Sequence, residues 1–186
     1  MIYKEDLGVC GDDHEVCDEY TPQVWDDIQS IATEFNEPGV FTTLNAYEWT
    51  SDGNVPQGAA GSGIHRNIIF RNDTVPETVF SAKDSPNPED LWAWLNANCT
   101  GECEAIVIPH NANLSQGTAF NPTYYDNVTP IDAARASTQQ RLEPLVEMMQ
   151  TKGESECKTG LGNVDELFDT PTAEARGILG SSSQLV

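Results

Sequence analysis

The amino-acid sequence predicts an α/β fold, and three observations carry that prediction. Short runs rich in β-branched and aromatic residues alternate with stretches patterned at helical spacing. Glycine, proline and polar clusters punctuate the boundaries between them. A strand–helix–strand order within one sheet, finally, makes neighbouring strands parallel. The 186 residues fit a single domain. It divides into a loop over 1–20 that holds the first cysteine pair, a core over 21–157 and a weakly patterned tail over 158–186.

The elements follow in order. Residues 1–20 are acidic, and His14 stands among Asp12, Asp13 and Glu15 as an exposed loop histidine. Thr21 and Pro22 open the first helix, as N-cap and first helical residue. Val24, Trp25, Ile28, Ile31, Ala32 and Phe35 recur on one apolar face, and Pro38-Gly39 stops the helix. Val40 to Tyr47 reads as a strand that Glu48 closes. The loop SDGNVPQGAAGSG leads into a second strand, HRNIIFR, and with no helix between them the two pair as an antiparallel hairpin. Asn87 and Pro88 start a helix that ends near Cys99, and Ala105 to Pro109 is a buried strand with His110 at its exit. Thr129-Pro130 opens a third helix through Leu142, and LVEMMQ, with Glu147 inside it, forms a further strand.

Composition narrows the partners. Thirty acidic against nine basic residues give a net charge of −21, which repels phosphate and argues against nucleic acid. It reads as a solvated acidic surface; a calcium store of EF-hand type lacks its D-x-D-x-D-G loop. No apolar run approaches the ~20 residues of a membrane helix, so no membrane partner is expected. Met1 to Cys10 contains no apolar signal-peptide core.

Cys10 and Cys17 flank GDDHEV, and Cys99 and Cys103 flank TGE. Both pairs are local and both loops hold a glycine, which favours two disulfides worth about 2–3 kcal/mol each on a chain-entropy account. A zinc clip of four cysteines competes, although C-x6-C is not a usual knuckle spacing. Disulfides imply an oxidising compartment, periplasmic or extracellular, with a signal peptide expected upstream of Met1. Cys157 is left over. The sequons at Asn72, Asn98, Asn113 and Asn127 matter only in a eukaryotic secretory setting.

The chemistry concentrates between Val40 and Asn111. Glu48, His65 and His110 each stand at the border of a short apolar run, and a carboxylate with two imidazoles is a donor set for zinc, manganese or iron. The hairpin puts Glu48 and His65 at one sheet edge, and a strand at 105–109 running parallel to 40–47 adds His110 to the same rim. Metal-assisted hydrolysis is the chemistry such a set serves. Arg66 and Lys152 are candidates to hold an anionic group of a small-molecule substrate, or else are surface charges. Glu48 read structurally is a sheet-edge carboxylate paired with Arg66 or Arg71. Serine catalysis lacks a G-x-S-x-G elbow, and GAAGSG is followed by no helix to make a dinucleotide site.

FTTLNAYEWTS, IHRNIIFR, FSAKDSPNPEDLWAWL, IPHNANLSQG and RLEPLVEMMQTKGESE, in this order, resemble the family called domain of unknown function 3604 over most of residues 5–157. That family is similar to the PHP (polymerase and histidinol phosphatase) superfamily of metal-dependent phosphoesterases. The resemblance implies a distorted (β/α)7 barrel with a metal cluster on its carboxyl-end rim. On it Glu48 is similar to the bridging carboxylate, His65 and His110 to histidine ligands, and Glu147 to a further rim residue. The family's H-x-H, D-H and D-x-H motifs have no counterpart here. The chain is therefore expected to be an internal fragment lacking the first and last barrel strands, with weak metal affinity of its own. A non-catalytic acidic binding or structural module is the competing expectation.

Overall fold

The computed structural model describes residues 10, 15–51, 64–110, 112, 115, 118–147, 149–150 and 153–154. Three strands form one antiparallel sheet: β1 (Ala46–Ser51), β2 (Ile64–Phe70) and β3 (Ala105–His110), in that spatial order. Among the described residues three α-helices accompany it, α1 (Glu15–Phe35), α2 (Pro88–Asn98) and α3 (Ala133–Leu142), with a separate two-residue pairing of β4 (Met149–Gln150) and β5 (Gly153–Glu154).

This is not a (β/α)7 barrel, and the route from β2 to β3 shows why. β2 runs away from the rim that holds His65. The irregular segment 71–87 then carries the chain back to that rim, where Ser51 Oγ donates to the Pro86 carbonyl at 2.8 Å. Only then does α2 run outward again. Two crossings cancel, so β3 starts beside the end of β2, with Phe70 opposite Ala105, and pairs with it antiparallel. The strand–helix–strand order therefore does not produce parallel neighbours. β1 and β3 do share a direction, but across the intervening β2.

Alternation sorts the sheet into two faces. Tyr47, Trp49 and Ser51, then Ile64, Arg66, Ile68 and Phe70, then Val107 and Pro109 point to one side. Leu91, Trp92 and Leu95 of α2 and Leu142 of α3 join that side in a single core. Asn87 caps α2 by accepting from Glu89 N at 2.9 Å, with Pro88 in the first turn. Glu48, Thr50, His65, Asn67, Ile69, Ile106, Ile108 and His110 face the other way, and none of them is fully buried.

The helix boundaries differ from expectation at two starts. α1 begins at Glu15, so residues 15–20 are helix rather than loop and Pro22 lies inside it. Proline there forfeits one backbone bond, and the adjacent Thr21 hydroxyl donates to the Cys17 carbonyl at 2.6 Å. α3 begins at Ala133 with Asp132 as its cap, because Thr129 gives both its N–H and its hydroxyl to Asp126. The first strand starts at Ala46 and runs past Glu48. The apolar face expected of α1 is mostly uncovered: only Trp25 and Ala32 are buried, while Val24, Ile28, Ile31 and Phe35 are exposed. Trp25 makes the attachment, in ring contact with Tyr47 and Phe70 and donating from Nε1 to the Pro76 carbonyl at 2.9 Å.

Disulfides join Cys10 to Cys17 and Cys99 to Cys103. The first ties the approach to α1, and the second closes the turn from α2 into β3. Both are compatible with an extracellular or periplasmic location. Exchanging Cys99 and Cys103 together for serine is expected to lower unfolding free energy by about 2 kcal/mol, since the closed loop is short. Urea denaturation of the oxidised protein and of the double variant measures this. His14, Cys157, Asn113 and the segments 52–63 and 158–186 lie outside the described residues. Among the described residues no helix is long and apolar enough to cross a membrane.

Candidate metal centre

Thr50, His65 and His110 form one row across the three strands at the rim: Thr50 pairs with His65, and His65 with His110. Glu48 stands two residues back on β1, hence on the same face and diagonal to His65. Each of Glu48, His65 and His110 offers a ligand atom, and these atoms lie within 4.8 Å of one another.

The contacts are specific. His65 Nδ1 lies 2.8 Å from Glu48 Oε1. His110 Nε2 lies 3.7 Å from Glu48 Oε2, so the two carboxylate oxygens turn toward different imidazoles. The rings are 5.4 Å apart between centroids and tilted by 47°. Thr50 Oγ1 donates to Glu48 Oε1 at 2.7 Å and lies 3.2 Å from His65 Nδ1. The imidazoles are largely covered, with side-chain exposures of 20% for His65 and 12% for His110, while Glu48 at 46% keeps one side to solvent.

Partial burial pushes the Glu48 carboxyl up. The hydrogen bonds from Thr50 and His65 and the neighbouring His110 and His65 charges outweigh it, so the group sits below the ordinary glutamate range. A depressed folded-state value contributes stability above the pKa of an unfolded glutamate, and that contribution is lost as pH falls through the folded value. Solvent screening keeps it small at this exposure. NMR titration of the carboxyl carbons is expected to place Glu48 below the bulk of the exposed glutamates, and Glu48→Gln should flatten the corresponding stretch of the stability–pH curve.

Two imidazoles and a carboxylate, gathered at a half-open rim, fit a divalent ion. His2Glu is a ligand set of catalytic zinc sites that keep a position open, and two histidines with one carboxylate also suit iron(II). The carboxylate below its ordinary range is ionised at neutral pH, as a ligand must be.

The other candidates fall elsewhere. Arg66 is 1% exposed and points into the core, away from the rim. Its Nε donates to Glu143 Oε1 at 2.6 Å, and its guanidinium lies over the Trp49 and Trp92 rings. It is a buried cation paired with Glu143 and not with Glu48. Arg71 pairs with Glu104 at the surface. Glu147 is not in a strand; its backbone N–H donates to the Pro109 carbonyl at 3.0 Å, next to His110, but it is not one of the three clustered residues. Lys152 lies outside the described residues. Thr50 was not singled out by its sequence context, although E-x-T at strand period places it on the face of Glu48.

The family model described as a protein of unknown function, DUF3604, matches residues 3–182. No curated protein and no solved structure gives a significant match.

Proposed function

The chain belongs to the DUF3604 family of proteins of unknown function, and we propose that Glu48, His65 and His110 hold a divalent metal ion (zinc, manganese or iron) for the hydrolysis of an ester, a phosphoester first. The observation that supports this is the convergence of two imidazoles and one ionised carboxylate on one rim from three different strands. A bound divalent ion supplies Lewis acidity and makes a water reactive near neutral pH. The chain's own residues would hold such an ion at the solvent-facing rim. Glu48 offers carboxylate charge on the open side, and the two histidines close the sides toward the sheet.

A similarity to the PHP superfamily belongs to the same proposal, as does a small anionic substrate, which a chain of net charge −21 attracts only where metal charge offsets its own field. The location that goes with it is extracellular or periplasmic, supported by the two disulfides. A metal-binding module without catalysis is the second reading. It is favoured by the use of Arg66, the buried cation nearest the ligands in sequence, for packing rather than for substrate.

The test is metal content of the purified chain after incubation with zinc, manganese or iron(II), followed by assay on generic phosphomonoesters, phosphodiesters and carboxylic esters. Stoichiometric metal with ester turnover supports the hydrolase. Metal without turnover selects the binding module, and absence of metal overturns both.

A further inference from the structure

We propose that a second site lies at the end of the sheet opposite the histidine rim, in the cleft between segments 42–45 and 71–73, and that it binds a small uncharged polyhydroxylated molecule, of monosaccharide size or below. Neither Glu48 nor either imidazole takes part in it, so the inference stands independently of the metal reading.

β1 begins and β2 ends here, where the Phe70 N–H donates to the Asn45 carbonyl at 2.9 Å. His65 and His110 stand at the other ends of their strands. The cleft has a volume of about 180 Å³, room for roughly six waters at ~30 Å³ each. Phe70, fully buried, and Leu44 supply its apolar lining. Both walls are tied down. On one side the Thr43 hydroxyl donates to the Ala32 carbonyl of α1. On the other, the Arg71 N–H donates to the Glu104 carbonyl at 2.9 Å and its Nη1 to Glu104 Oε2 at 2.6 Å. Asn72 Nδ2 donates to the Glu102 carbonyl at 2.7 Å. These bonds are internal to the fold, so the cleft is formed before any ligand arrives.

Asn45 carries the inference. It lines the cleft, is 2% exposed, and its Oδ1 has no hydrogen-bond partner. A buried acceptor left without a donor costs stability, and a ligand that donates a hydrogen there removes the cost. Exposed residues at the mouth, Asn36, Thr42 and Asp73, add an amide, a hydroxyl and a carboxylate. The set discriminates by charge. An anion meets the Asp73 carboxylate and the Asn45 oxygen, in a chain of net charge −21. A cation meets the Arg71 guanidinium in the wall. An apolar ligand leaves Asn45 unsatisfied. Hydroxyl groups both donate and accept, so an uncharged polyol can donate to Asn45 and Asp73 and accept from Asn36 and Thr42.

The experiment titrates the full chain with D-glucose, D-galactose and glycerol, and with sodium phosphate and calcium chloride as charged counterparts. The 15N–1H signals of the Asn36, Asn45 and Asn72 side-chain amides are followed. At least one uncharged probe is expected to shift them saturably, with a Kd in the millimolar range that suits so few contacting atoms. Asn45→Leu repeats the branched shape without a polar atom. It should raise that Kd about tenfold, while the ligand-free variant melts at the parent's temperature or above because no orphaned acceptor remains. Thr42→Val, at the exposed mouth, should weaken binding a few-fold and decides the matter if N45L does not fold. The proposal is overturned if no uncharged probe moves these amides, or if phosphate or calcium moves them at lower concentration. Parent-like binding by N45L, or by T42V where N45L is unfolded, overturns it as well.

Discussion

Replacing two of the proposed ligands together, Glu48→Ala with His65→Ala, is expected to abolish metal retention while the chain stays folded. Both side chains sit on the sheet face away from the core, and Glu48 is 46% exposed, so truncating them opens no buried cavity. The energetic effect on the ion is large. Four-ligand zinc sites bind with about 10–16 kcal/mol, so the loss of two ligands costs roughly 6 kcal/mol, or about four orders of magnitude in affinity. Metal analysis after dialysis reads the loss, and circular dichroism checks that the fold survives. Full retention of metal by the double variant would remove these residues from the centre.

The second large effect is on stability. Arg66 and Glu143 form an ion pair with side-chain exposures of 2% each, and Glu143 also accepts from Trp92 Nε1 at 3.0 Å and Gln139 Nε2 at 2.9 Å. Glu143→Ala leaves a buried guanidinium without its counter-charge, for an expected loss of about 3–5 kcal/mol. Removing both charges, with Arg66→Met and Glu143→Leu, should recover most of it, because the desolvation cost disappears with the pair. Guanidinium denaturation of the single and double variants gives the comparison. A single-variant loss below about 1 kcal/mol would contradict the account.

Much of the candidate centre is legible in the sequence. The sequence between Glu48 and His65 has no helical periodicity and so predicts a hairpin, and the shared direction of β1 and β3 puts His110 on the same rim. The antiparallel sheet that stands in place of the expected barrel was not legible, because strand order and pairing depend on segment 71–87, whose sequence has no periodicity to announce that it crosses the sheet. Arg66 was misplaced for a related reason. In IHRNIIF alternate residues face opposite sides, and a charged residue next to a candidate ligand histidine suggests the open face until Glu143, 77 positions away, is known to meet it. For α1 the periodicity is genuine, but periodicity reports a face that can be buried, not one that is. Only Trp25 and Ala32 find the body of the fold.

The alternation of β2 has a consequence for which changes this chain can tolerate. His65, Asn67 and Ile69 face the rim side, while Ile64, Arg66, Ile68 and Phe70 face the core. Substitutions act on one side at a time. Inserting or deleting one residue within 64–70 exchanges the two sets for everything beyond the change. Such a lesion would turn core residues to solvent and break the row with Thr50 and His110 together. Length within β2 is thus more constrained than the identity of any residue it carries.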